Sequence, residues 1–454
     1  MMKLVDSIFK NYINIFSQSK YFLGSLIIIM IIYFGNNHIP FTFSQQQLPN
    51  VNDPSLKIDR VADGLQSPTS MAFLTNNSLL IAQKEGTLSM LDLNNPTNIE
   101  PILELSNVNS KNERGLLGIT IDNNKSGESS IFLYVTETRT QLDQETQDTA
   151  SNDDLRNRVY KYEWDEVEQR LSNPKIILDL PAGPGTNHQG GKIKIGPDNQ
   201  LYVVIGELQR EGQLQNFREG PEPDDSGVIF RVNPVDGSPS NNNPFIEANN
   251  GDKGGNNNLL AKYYAYGIRN SFGFDFDPIT GKLWDTENGE NLYDEINIVE
   301  SGFNSGWKLI MGPFSKSEAI TENDLVNFQG SHYSDPLLSW EQSRGITDLE
   351  FFKSDNLGQK YANNIFVGDI TRGNLFFLQV NENRNGLQFD NEPNIANDHI
   401  ASSEEEISSI TLGTGFKGIT DVETGPDGNL YILTYSRADG GQGALYRISE
   451  NTTQ

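Results

Sequence analysis

The residues best placed to do chemistry lie in the run from Gly185 to Glu207, which holds one histidine, His188, and ends on a carboxylate. Between them, alternating Ile193 and Ile195 and the apolar Leu201 to Ile205 flank a Gly196-Pro197-Asp198-Asn199 cluster. That pattern predicts loop, strand, tight turn and strand. A hairpin brings its two open ends together, so His188 entering it and Glu207 leaving it can touch. An imidazole that titrates near neutrality, with a carboxylate to fix its tautomer and stabilise its cation, is what a general base requires. The same two residues also fit a loop histidine beside an ordinary solvated glutamate.

A second cluster follows. Arg269 and Asn270 immediately precede a strand in which Phe272 and Phe274 alternate, so Arg269 stands at a strand mouth as His188 does. A surface ion pair is the alternative use of such an arginine. Beyond it, Glu287, Asn288, Glu290, Asp294 and Glu295, with Gly289 freeing a backbone turn, supply the many hard oxygen donors that Ca²⁺ takes. The spacing is not that of an EF-hand, and acidic loops are common in a chain this negative.

Residues with such roles need a scaffold that brings distant segments to one place. From Leu56 onward six segments share apolar alternation, a polar turn, and a strand rich in Leu, Tyr, Phe and Val. They begin at Met71, Leu117, Gly191, Phe272, Leu349 and Val422, and most are followed by a further strand pair, as in Gly227 to Val232, Gly373 to Leu378 and Gly443 to Ile448. Six repeats of about four strands describe an all-β, six-bladed propeller. The strand Leu56 to Val61 has no repeat of its own and is expected to pair with Gly443 to Ile448, closing the ring without a free edge.

The 454-residue chain carries a formal net charge of −27, which argues against a nucleic-acid partner. It contains no cysteine, so disulfides, thiolate chemistry and Cys-based metal sites are excluded. Lys3, Lys10 and Lys20 precede an uncharged apolar run from Tyr21 to Phe34, the layout of an export signal. A small-x-small cleavage pattern is missing, which favours an uncleaved anchor over a cleaved signal, with secretion the outcome if cleavage occurs. Residues 1–54 therefore read as anchor and polar tether, and residues 55–450 as an extracytoplasmic propeller. The Asn- and Gly-rich stretch 241–258 reads as a surface loop.

Several ordered motifs together resemble the glucose/sorbosone dehydrogenase family, which includes soluble pyrroloquinoline quinone (PQQ) glucose dehydrogenases and aldose sugar dehydrogenases. They are Glu113-Arg114-Gly115-Leu116-Leu117-Gly118, His188-Gln189-Gly190-Gly191 with Gly196-Pro197-Asp198 and Leu201-Tyr202, Tyr266-Gly267-Ile268-Arg269-Asn270, Gly302-Phe303-Asn304-Ser305-Gly306-Trp307, and Gly425-Pro426-Asp427-Gly428-Asn429-Leu430-Tyr431. The resemblance covers about residues 57–449 and implies a six-bladed propeller. It further implies an exported, Ca²⁺-dependent quinoprotein that oxidises the anomeric hydroxyl of an aldose sugar and passes hydride to PQQ. In that reading His188 is the base, Glu207 replaces the family's partner Asp, and Arg269 and Asn270 contact the quinone carbonyl. Glu113 stands in for a cofactor-contacting Gln, and the Asn288-Gly289-Glu290 turn resembles the calcium loop. Where PQQ glucose dehydrogenases have a Lys and two Arg on the cofactor carboxylates, this chain has Thr371, Gly418 and Thr420, with Arg372 and Lys417 one position away from two of them. The alternative function is a non-catalytic propeller that binds a glycan or a protein partner.

Overall fold

The computed structural model describes residues 48–123, 129–138, 154–247, 259–317, 320–390 and 392–452. The expected N-terminal anchor and residues 248–258 of the Asn-rich stretch lie outside the described residues. Among the described residues no helix is long and apolar enough to cross a membrane.

Six antiparallel blades follow one another along the chain. Blade 1 is Pro68–Phe73, Ser78–Gln83, Thr87–Asp92 and Ile99–Glu104, and blade 2 is Leu116–Asn123, Ser129–Thr138, Leu155–Asp165 and Arg170–Pro181. Blade 3 is Ile193–Ile195, Leu201–Ile205, Val228–Val232 and Tyr263–Tyr266, and blade 4 is Gly273–Phe276, Leu283–Glu287, Leu292–Val299 and Leu338–Gln342. Blade 5 is Ile346–Phe351, Ile365–Asp369, Leu375–Leu378 and Thr411–Thr414. Blade 6 takes Gly418–Thr424, Leu430–Tyr435 and Gln442–Glu450 from the end of the chain and Leu56–Gln66 from its beginning. The closing pair runs antiparallel from Leu56 opposite Glu450 to Gln66 opposite Gln442, with register shifts between Arg60 and Ala62 and between Asp63 and Leu65, and it pairs the early strand as its lack of a repeat predicts. Two short additions were not legible: Asn50–Val51 on the outer edge of blade 5, and the parallel Ile400–Ala401 on blade 4. Two-residue strands carry too little alternation to be read.

The second strands are buried along almost their whole length because both of their faces are covered; all five residues of Leu201–Ile205 are buried. Six apolar clusters fill the spaces between neighbouring blades. Examples are Trp284 and Ile296 of blade 4 against Leu349 and Phe376 of blade 5, and Leu433 and Leu445 of blade 6 against Met71 and Leu79 of blade 1. The repeated Gly-Pro-Asp…Leu-Tyr motif is a packed turn. A Cβ on Gly196 would come within 2.6 Å of the Tyr202 ring, and one on Gly425 within 2.4 Å of the Tyr431 ring. The phenols donate to Asp198 and Asp427 of the same turns at 3.2 and 3.0 Å.

Where the innermost strands meet, the side chains are charged. Lys192 pairs with Asp348 at 2.7 Å and Asp421 at 3.0 Å, and Lys194 with Asp275 at 2.7 Å and Glu350 at 3.1 Å. Lys353 adds pairs to Asp275 and Glu350. With Glu423 on the same strand as Asp421, the residues form two layers, each holding one more carboxylate than ammonium. Burial pushes one acid up in each layer. Asp348 rises well above the usual range, against the pull of Lys192, and Glu423 rises to about 7, drawn down by Lys194 and pushed up by Glu350.

A carboxyl held near 7 in the fold and near 4.5 when unfolded contributes stability that is complete below about pH 4.5 and lost as pH rises toward 7. Thermal melts from pH 5 to 8 should therefore show a falling melting temperature for the wild type and a flatter profile for Glu423→Gln. Equal slopes would show that Glu423 is not the proton carrier.

Candidate active site

In every blade two kinds of connection face the same end of the ring: the segment entering the first strand, and the turn between the second and third. Glu113, His188 and Arg269-Asn270 lie in the first kind, just ahead of blades 2, 3 and 4. Lys84, Glu207, Asn288 to Glu290, Thr371-Arg372 and Arg437 lie in the second kind. Ring geometry thus gathers residues that are far apart in sequence.

His188 sits at φ +61° in a turn fixed from below by Gln189, a fully buried residue that sequence reasoning missed. The Gln189 amide donates to Gly185 O at 3.1 Å and accepts from Asn157 at 2.8 Å, and its carbonyl accepts from the Tyr134 hydroxyl at 2.9 Å. His188 Nδ1 is hydrogen-bonded to Glu207 Oε1, as the hairpin reading expects. The Glu207 side chain is 5 % exposed and that of His188 15 %. The second Glu207 oxygen accepts from Arg210 N at 2.8 Å, and Glu207 N donates to Arg269 O at 2.9 Å. Gly206, between strand and acid, admits no side chain: a Cβ there would meet His188 O at 2.4 Å and Arg269 O at 2.9 Å.

Glu113 joins the two halves of the site. Its Oε2 accepts from His188 N at 2.6 Å and from Asn270 Nδ2 at 3.1 Å. Arg269 is buried, lies 5.1 Å from the Trp307 ring, and donates through Nη1 to the carbonyls of Asn288 at 2.8 Å and Gly289 at 3.0 Å. Its Nε has no hydrogen-bond partner among the described residues, and burial lowers the guanidinium pKa, against the field of Glu207, Glu287, Glu290 and Glu113.

The residues expected to hold Ca²⁺ are committed elsewhere. The Asn288 and Gly289 carbonyls face the Arg269 cation, and Asn288 Nδ2 donates to Ile346 O at 2.8 Å. Glu287 accepts from Arg269 N at 2.6 Å and Ser305 Oγ at 2.5 Å. Glu295 accepts from Gly312 N, and Glu290 is exposed. Asp294 organises two loops: it accepts from Ser343 Oγ at 2.6 Å, Gly289 N at 3.0 Å, Arg344 N at 2.5 Å, Gly345 N at 2.8 Å and Ile346 N at 3.4 Å. Burial raises Glu287 to about 7 and holds Asp285 and Glu295 well above the carboxylate range. Among the described residues no group of three or more His, Asp or Glu side chains is arranged to hold a metal ion.

A cavity of about 640 Å³ opens at this end of the axis, walled by Glu113, Asn187, Gly190 and Phe272 on one side and by Lys84, Tyr435 and Arg437 on another, with Lys192 and Asp421 also in its lining. Arg372 and Lys417 do not line it. Arg372 is ion-paired to Glu404 at 3.0 Å and Lys417 to Asp439. Thr420, by contrast, is on the wall. Lys84 and Arg437 were missed because they match no family position noted in the sequence.

Fold and site together define a six-bladed propeller with a histidine–carboxylate pair and a buried arginine beside an axial cavity. The chain belongs to the Glucose / Sorbosone dehydrogenase family, whose model matches residues 65–447. It is 24% identical over 397 residues to an aldose sugar dehydrogenase of Escherichia coli, covering 87% of this chain and 93% of that one. A putative oxidoreductase (glucose dehydrogenase) of Thermus thermophilus superposes with a TM-score of 0.63 at 26% identity, covering 87% of this chain and 99% of its own. The PQQ-bound form of an aldose sugar dehydrogenase from Streptomyces coelicolor shares the fold, with a TM-score of 0.61 at 21% identity over 88% of this chain and all of that one.

Asp294→Ala should cost about 3 kcal/mol of stability, because it strips a buried acceptor from several donors at once. Glu290→Ala, on an exposed side chain, should fall within about 0.5 kcal/mol of wild type. Denaturant melts of the two variants check this; equal midpoints would show that Asp294 does not hold the loops.

Proposed function

We propose that the chain oxidises the anomeric hydroxyl of aldose sugars to lactones, with PQQ held in the axial cavity. The observation that carries this reading is the His188 to Glu207 hydrogen bond next to buried Arg269, in connections whose neighbouring residues Asn187, Gly190 and Phe272 line that cavity. The family membership and the names of its relatives support it. The cavity suits a cofactor: its volume lies in the usual range for ligand sites, roughly 300 to 1,000 Å³, and three cations line it in an otherwise acidic protein.

Bound PQQ would supply the two-electron acceptor for the hydride that leaves the sugar C1. His188 Nδ1 carries the proton that it donates to Glu207, which leaves the Nε2 lone pair free to take the C1 hydroxyl proton. The buried Glu207 carboxylate stabilises the imidazolium that results. Arg269 places a fixed cation for charge developing on an acceptor oxygen, and its position needs no rearrangement because two carbonyls, Glu287 and Trp307 already hold it. Glu113 keeps Asn270 and the His188 backbone in one frame. We further place the propeller outside the cytoplasm, tethered through residues 1–54, on the basic and then apolar order of that segment.

With PQQ-loaded protein and a panel of aldoses, His188→Ala should lower turnover by roughly 10² to 10⁴ while changing PQQ affinity much less. Wild-type turnover in His188→Ala would remove the base from the mechanism. A wild type that binds a glycan at this face but reduces PQQ with no aldose would be a binding propeller instead.

A further inference from the structure

The cavity wall is electrically lopsided. Its acids are already used: Glu113 is bound by His188 N and Asn270, and Asp421 accepts from Ser70 Oγ at 2.9 Å, Met71 N at 2.6 Å and Lys192 at 3.0 Å. Its cations at the junction of blades 1 and 6 are not. Lys84 and Arg437 occupy equivalent connections, each just after the second strand of its blade, in blades that are neighbours across the ring closure. Lys84 Nζ donates to the carbonyls of Ser110 at 2.8 Å and Asn112 at 2.5 Å, which aims it and leaves one of three N–H groups over. The Arg437 guanidinium is exposed and has no hydrogen-bond or ion-pair partner among the described residues. The two cations feel each other. Burial holds Lys84 below its ordinary pKa; the field of Glu85 opposes that shift, and the smaller field of Arg437 adds to it. Two positive side chains facing one cavity without an acid committed to either form a site that an anion relieves.

We propose that Arg437, with Lys84 beside it, holds the carboxylates of a planar aromatic polycarboxylate in this cavity, taking the place of the cationic clamp that Thr371, Gly418 and Thr420 cannot supply. The ligand class rests on the PQQ reading above. Arg437 presents a planar fork suited to a carboxylate, whereas Lys84 acts as a point charge. This arrangement sets the acidic groups of the ligand toward blades 1 and 6, across the cavity from the wall formed by Asn187, Gly190 and Phe272. Arg372 and Lys417, whose charges are spent on Glu404 and Asp439, are not needed for it.

The test is a titration of wild type, Arg437→Ala and Arg437→Lys with PQQ and, separately, with pyridine-2,4,6-tricarboxylate, read by calorimetry, with circular dichroism confirming that each variant is folded. Arg437→Ala should weaken both ligands by about ten- to a hundredfold, the worth of a charge-assisted hydrogen bond. Arg437→Lys should recover part of that loss, and added salt should weaken wild type more than Arg437→Ala. If Arg437→Ala binds PQQ as wild type does, this inference is overturned while the dehydrogenase reading stands. If the tricarboxylate binds in an Arg437-dependent way and PQQ does not bind at all, the anion site stands and the PQQ reading fails. If neither ligand binds the wild type, the inference is wrong.

Discussion

The ion pair of Lys192 with Asp348 and Asp421 is the contact on which the rest of the molecule turns. The first strand of blade 3 is only three residues long, Ile193–Ile195, too short to be held by its ladder alone, and it follows directly on the His188 turn. Lys192 and Lys194 fasten that strand to the innermost strands of blades 4, 5 and 6. Buried pairs of this kind add little stability over a well-packed apolar core, and removing one partner costs about 3 to 5 kcal/mol because the other charge is left unpaired. Their contribution here is to positional specificity. They fix where the His188 turn stands relative to Arg269, while the six apolar clusters between blades supply most of the burial.

Charge is distributed against the overall balance of the chain. The protein carries 61 acids to 34 bases, yet the cavity at the catalytic end is lined by three cations, and the surplus acids of the axis sit deeper or toward the far mouth, where Glu350, Glu423 and Asp427 line a second cavity of about 550 Å³. Burial raises the pKa of one acid in each axial layer, which limits the negative charge gathered around the lysines. An anionic ligand entering from the His188 side therefore meets cations first. That ordering follows from alternation along single strands, since Asp421 and Glu423, or Asp348 and Glu350, are two residues apart and face the same way.

The blades were legible because their signals are local. Apolar second strands, Gly-Pro-Asp turns and period-two alternation repeat within each blade, and the unpaired Leu56 strand left the ring one strand short. The His188 and Glu207 contact was legible for the same reason, as both flank one hairpin. What escaped depended on which atoms meet once two loops are brought together, or on contacts between blades. The acidic loop from Glu287 to Glu295 has the composition of a calcium site, but composition does not say that Arg269 comes across from the preceding connection to take the Asn288 and Gly289 carbonyls. Arg437 has no local motif at all, and only the ring closure sets it beside Lys84.

Glu207 shows how tightly base and cation are coupled. Its side chain holds the His188 imidazole while its backbone N–H holds the Arg269 carbonyl, so one residue sets the spacing of both groups. Gly206 lets the two loops close on it, since any side chain there would strike the carbonyls of His188 and Arg269 together. A glutamate in this position reaches further than an aspartate by one methylene. The left-handed turn at His188, held in place by Gln189 and Glu113, matches the imidazole to that longer reach. Acid length and turn geometry are thus one design, and shortening the acid would draw the imidazole away from Arg269 or leave it without a partner on Nδ1.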